Sequence, residues 1–331
     1  MLIIHGISFF GNVNALSGYA LLLLLQQGLS TNYQEYHQDI RKAEEFLAES
    51  AYHQALDKYE AVFADYDFIF VRDLKIATQV AWYVGDTSLA INYMERGISA
   101  GWQQKDIRRN ECLDALRQTN AYRELDKRYP DLRRQYEASL DQTLRKQVHR
   151  LFKQDQWKAL GVLLRIGRKA KDRYAERRFA PQSEDHLETL STILETHGYP
   201  GEQLIGNNYW GETILSHHNS ISEEYVLQDT LYRHLRPSLK KAYRRGEISA
   251  LELATIDEWY LTVLDGHDKA HYGILNRPSP SDIQYVNERR KSVGLRSMEL
   301  RNALIDQEAK TGMNLYTQEG WIEGKVMIND E

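Results

Sequence analysis

Two stretches of this chain carry the same pattern of small and aromatic residues, and that pattern restricts the fold more than any other feature. In "QDIRKAEEFLAESAYHQALDKYEAVF", Ala43, Phe46 and Leu47 form one apolar stripe, and Tyr52, Ala55, Leu56, Tyr59 and Phe63 form a second, with "AESAY" as the break. In "DLKIATQVAWYVGDTSLAINYMERGISAGW", Ala77, Ala81 and Trp82 precede the turn "VGDTS", and Ala90, Met94 and Gly97 follow it. Recurrence every three or four residues puts each set on one helix face. The second copy stands 35 residues after the first, from Phe46 to Ala81 and from Ala55 to Ala90. Small residues at matched places let two helices approach closely, so two stacked helical hairpins are predicted over 38–101. Only 6 prolines and 20 glycines occur, which leaves most of the chain free to be regular.

The phrase "A-x-x-x-G-D-x-x-x-A-x-x-x-M-x-x-G-I-x-x-G-W" resembles the degenerate tetratricopeptide repeats of Bacteroidetes proteins, in which a "cLdaLR…YreL" helix closes the array. "NECLDALRQTNAYRELDKRY" is the matching stretch here. Repeats of this kind stack into concave surfaces that hold partners. A partner-binding role would require an exposed aromatic face around Tyr52, Tyr59 and Trp82. Beyond these repeats, Pro130 predicts a bend, and a charged helix over 131–160 is expected to lead to the second domain.

Texture changes from about Leu160. "HLETLSTILETHGYPGEQLIG" reads as a helix stopped at Gly198 and Pro200. Ser222 is a candidate N-cap, and "SALE" at Ser249–Glu252 has the spacing of a capping box. Strand signals are few, and "NLYTQEGWIEGKVMIND" reads as a small hairpin or a tail. The phrases "HGYPGEQLIG", "YWGETILSHHN", "LKKAYRRGEISALELATIDEW", "HYGIL" and "VNERRKSVGL" together resemble bacterial domain-of-unknown-function family 6624, over roughly residues 160–305. That resemblance implies an architecture and candidate positions, and no reaction.

Charge and composition narrow the partners. Hydrophobic and charged shares of 42% and 27% are those of a folded soluble protein. A net charge of −5 argues against nucleic acid. The long stretch from Lys105 to Lys153 interleaves both signs at helical spacing, as a solvated surface does. The single cysteine, Cys112, excludes a disulfide within the chain. Residues 1–30 hold no Lys, Arg, Asp or Glu, and "YALLLLLQQGLS" resembles the apolar core and small-residue cleavage site of a secretory signal peptide. The run is too short to span a membrane. A periplasmic or secreted location is therefore expected. An ordinary N-terminal helix in a cytoplasmic protein is the alternative.

The histidines direct attention to the second half. His217 and His218 are adjacent, so they point about 100° apart on a helix and make a poor pair for one ion. His267 and His271 have better spacing but follow Gly266, and no H-E-x-x-H pattern occurs. No metal and no cofactor are expected. A His with a carboxylate can do acid–base chemistry near neutral pH. His217, Asp257, His271 and Tyr272 are the candidate catalytic set, with His217 facing Asp257 and His218 incidental. Trp210, Asn219 and Arg290 are the candidate ligand-binding residues. "GNNYWGE" adds Asn207, Asn208 and Tyr209, which suit a carbohydrate or peptide pocket or simply pin a loop.

The expected fold is all-α: a short tetratricopeptide-like hairpin array followed by a mainly helical C-terminal domain. The expected divisions are 1–30 (apolar segment), 31–130 (hairpins), 131–160 (connecting helix), 161–305 (second domain) and 306–331 (tail). An envelope scaffold holding a protein partner through the hairpins is the first functional expectation. A hydrolase or a small-ligand module with the His/Asp/Tyr site is the alternative.

Overall fold

The computed structural model describes residues 32–329, so the expected export segment at 1–30 lies outside the described residues. Within them the chain is all-α, with no strand and one isolated antiparallel bridge between Glu319 and Ile322. None of the described helices is long and apolar enough to cross a membrane.

The first hairpin pairs α1 (Tyr33–Ala48) with α2 (Tyr52–Asp65), and the second pairs α3 (Val71–Tyr83) with α4 (Thr87–Ser99). Ala43, Ala55, Ala77, Ala81 and Ala90 are all fully buried, as close helix approach demands. Asp86 ends the second turn by accepting the Leu89 N–H at 2.9 Å. Gly97 faces the buried Trp102 ring, and a Cβ there would lie 2.8 Å from it.

The closing stretch differs from its expected single helix. After α5 (Gln104–Arg109) come two 3-10 turns, Glu111–Leu113 and Leu116–Gln118, and only then α6 (Asn120–Ser139). Cys112 sits in the first of these turns, and burial pushes its thiol up to about 11. The helix does not break at Pro130, which lies inside α6. Its position is exposed, so water can satisfy the carbonyl that the ring leaves unbonded. The break falls instead at Leu140–Asp141, where Asp141 caps α7 (Gln142–Leu163). The charged connection is thus the end of α6 and most of α7.

Then follow α8 (Arg168–Tyr174), a π-helical turn at Ala175–Phe179, α9 (Ala180–Thr196), α10 (Glu202–Ile205), α11 (Trp210–Asn219), α12 (Glu223–Gln228), α13 (Leu231–Arg244) and α14 (Ala250–Leu264). Leu144 and Val148 of α7 join Leu190, Ile214, Leu239 and Ile256 in a second core. Ser249 and Glu252 form the capping box that begins α14.

The chain end is not a tail. After α15 (Ile283–Ser292), α16 (Met298–Thr311) runs across position 305 and packs on α1. Leu304, Met313 and Leu315 belong to the core of the hairpins. Gln79 of α3 clamps this segment from both sides. Its Nε2 donates to the Asn314 carbonyl at 2.9 Å, and its Oε1 accepts the Asn314 N–H at 2.8 Å. The aromatic face that a partner would use is occupied in the same way. Tyr59 is fully buried, Trp82 is partly buried against the core, and the Tyr52 hydroxyl donates to Gln307 of α16 at 2.8 Å.

Candidate functional site

Where the hairpins meet the second core, α1, the start of α3, the 202–212 stretch, the start of α14 and the returning 316–321 segment enclose a cavity of about 360 Å³. That is the size of a small-molecule site. Six carboxyls line it, and three of them, Glu202, Glu212 and Glu252, make no ion pair among the described residues. Glu202 begins α10, and its Oε1 accepts the Val71 N–H at 2.7 Å, tying α3 to the second half. Glu212 stands in the first turn of α11, and Glu252 closes the capping box of α14. A helix start favours an ionised carboxylate. Burial outweighs that here. It pushes Glu202 and Glu212 up to about 8, with the charge of Glu252 adding to both shifts. Glu252 itself is raised to about 7 by burial, against its bonds to Ser249. At neutral pH Glu202 and Glu212 are therefore mostly carboxylic acids, able to donate as well as accept.

The rest of the lining is mixed in sign and mostly paired. Arg296 reaches Glu44 at 2.9 Å and Glu319 at 3.2 Å, while Arg72 also pairs with Glu44 and Arg290 with Glu319. Burial raises the Glu319 carboxyl, but Arg290 and Arg296 together outweigh it and hold Glu319 below its ordinary value. Tyr36 donates to Asp73 at 2.6 Å. Burial, aided by Arg72, lowers His37 to about 3, so its imidazole is neutral. Lys75 makes no ion pair among the described residues, and burial lowers its ammonium pKa against Asp106 and Glu202. Four buried atoms of the lining lack a hydrogen bond among the described residues: His37 Nε2, Arg41 Nε, Arg72 Nε and Asp73 Oδ1, of which Arg72 Nε and Asp73 Oδ1 face each other at 3.8 Å and Arg41 Nε faces Glu45 at 3.7 Å. At the rim, Tyr209 and Trp321 are 65% and 63% exposed, which is high for aromatic rings.

The predicted catalytic set does not assemble at one place. His217 bonds through Nδ1 to Asp155 Oδ2 of α7 at 2.6 Å, and Asp257 bonds to Tyr232, Arg236 and Tyr272 instead. The pairing expected between His217 and Asp257 is replaced for a geometric reason. Asn219 is the α11 residue that faces α14, donating to the Ile256 carbonyl at 3.0 Å. His217 lies two residues, about 200°, round the helix from it and faces α7. Asp257 and Tyr272 do come together, at 3.3 Å, within a cluster that includes Arg236 and Arg289. Burial, with Asp257 close by, raises Tyr272 to about 12, so it stays protonated. His271 is held elsewhere, between the Tyr285 hydroxyl at 2.9 Å and Asp265 at 3.2 Å.

His218 is not incidental. It is buried, with Nδ1 at 3.0 Å from Ser183 Oγ and Nε2 at 3.5 Å from Asp229. The expected ligand residues are structural in their contacts. Asn219 is buried, as its bond to α14 requires. Arg290 is wholly buried and spends its donors on the Tyr272 and Arg296 carbonyls and on Glu319. Trp210 turns away from the cavity to stack on His149 at 4.4 Å, beneath the Arg145 guanidinium. Its neighbours Asn207, Asn208 and Tyr209 do line the cavity. Sequence reasoning missed Glu202, Glu212 and Glu252 as site residues. Glu252 was legible as a cap and Glu212 as the last residue of "NNYWGE", but nothing local marks either as facing a cavity.

Among the described residues no group of three or more His, Cys, Asp or Glu side chains is arranged to hold one metal ion. Comparison of the chain with protein-family models, with curated proteins and with solved structures finds no match.

Proposed function

We propose that the protein binds a small polar molecule in the cavity between its two halves, and that Glu202 and Glu212 act on it as proton donors in a hydrolytic reaction. The observation that carries this reading is a cavity of about 360 Å³ lined by Glu202 and Glu212, in which four buried polar atoms, His37 Nε2, Arg41 Nε, Arg72 Nε and Asp73 Oδ1, are short of a hydrogen bond among the described residues. Buried polar groups need hydrogen bonds, so a polar occupant would be held there. Two carboxylic acids near their transition at neutral pH suit general acid catalysis. The exposed rings of Tyr209 and Trp321 offer flat apolar surfaces at the mouth. An envelope location, as residues 1–30 suggest, belongs to the same proposal.

The alternative of a protein partner held by the hairpins has less support, because α16 and Met313–Leu315 already cover the face it would use. A thermal-shift screen of small polar compounds tests the proposal. Compounds that stabilise the wild-type protein should lose their effect in Glu212→Leu, which puts an apolar side chain into the cavity. Shifts that survive this substitution would place binding elsewhere.

A further inference from the structure

The far end of α7 combines two features found together nowhere else on the described surface. Trp157, Leu160 and Leu164 lie at i, i+3 and i+7, on one face of the helix. That face is turned about 200° from Asp155, which points inward to His217. Trp157 and Leu164 are each 76% exposed, and Ile166, in the turn that follows, is 96% exposed. Large apolar side chains left this open forgo the stabilisation of burial, and four neighbouring ones mark a contact surface.

The second feature is charge. Arg165, Arg168, Lys169, Lys171 and Arg173 are all exposed around this tip, and none forms an ion pair among the described residues. On α6, by contrast, four of the five cations are paired: Lys127 with Glu124, Arg128 with Glu95, Arg133 with Glu137 and Arg134 with Asp131. Tyr174 ties the turn to α8. Tyr174 of α8 sits over Gly161, and the Arg165 guanidinium stacks on the Tyr174 ring at 4.6 Å. The apolar side chains are thus presented by a folded turn and surrounded by unpaired positive charge.

We propose that this tip docks onto the surface of an anionic lipid bilayer. Trp157, Leu160, Leu164 and Ile166 would enter the headgroup region, and Arg165, Arg168, Lys169, Lys171 and Arg173 would meet lipid phosphates. A Trp among aliphatic side chains suits the interfacial layer, where one side of the ring is apolar and the other wet. Unpaired cations at its edge supply attraction to anionic lipid, falling off within about 10 Å at moderate salt. The described helices do not span a bilayer, so this contact is peripheral.

Flotation of the full chain with phosphatidylcholine vesicles, with and without phosphatidylglycerol, tests the proposal. The wild-type protein should float with the anionic vesicles and not with the neutral ones, and added salt should release it. Trp157→Ser with Leu164→Ser should weaken that binding by about tenfold or more, and so should Arg168→Glu with Lys169→Glu. Ile166→Ser, in the turn rather than the helix, gives a second apolar variant less able to disturb folding. Unchanged thermal unfolding would show that all these variants stay folded. Equal binding to both vesicle types, or anionic binding that survives these substitutions, overturns the proposal. Self-association that the substitutions abolish, with no vesicle binding, also overturns it and identifies a second copy of the chain as the partner.

Discussion

Single residues decide the chemistry of the cavity. Glu202 and Glu212 are raised to about 8 because burial penalises the carboxylate more than the helix start stabilises it. The sign for stability follows from linkage. A carboxyl whose folded pKa lies above its unfolded value contributes stability in full below the ordinary value of 4.5. That contribution falls as pH rises and is gone above about 8. Glu212→Gln removes the titration and keeps the shape. It should unfold at a higher temperature than the wild-type protein in alkaline buffer and at the same temperature in mild acid, as thermal melts across the pH range will show. The buried ion network responds differently. Arg296→Met leaves Glu44 and Glu319 each short of a partner and should cost about 3 kcal/mol in chemical denaturation.

Helices and their junctions show what local pattern can and cannot dictate. Ser222 and Ser249 cap helices as their spacing suggests, because capping needs only residues within one turn. The small residues of the hairpins were legible for the same reason: each belongs to a stripe that repeats. Gly97 is the sharpest case. Alanine there gains about 1 kcal/mol of helix propensity, but its Cβ meets Trp102, which is buried and cannot yield. Overpacking of this kind costs about 1–3 kcal/mol, so Gly97→Ala should lower stability by roughly 1 kcal/mol in urea titration. Pro130 misled because its breaking effect depends on whether the freed carbonyl can reach water, and local sequence does not show which face of α6 is exposed. His217 misled because its partner is chosen by the rotation of α11 between α7 and α14.

At the scale of the molecule, the site exists because the chain returns. Glu44, Arg72, Arg296 and Glu319 meet although they are far apart in sequence, and the last two arrive only after α15 and on the segment beyond α16. No window of sequence contains that convergence, which is why the all-α architecture could be read in advance and the cavity could not. The Gln79–Asn314 clamp holds the returning segment in place. The cavity as a polar binding site is tested most directly by a crystal of the protein soaked with mixtures of small polar fragments. Density for fragments between Glu202, Glu212 and Arg296, with the 316–321 segment in place, is the predicted result. Fragments that gather elsewhere, such as beside His217 and Asp155, while the cavity takes none, would contradict it.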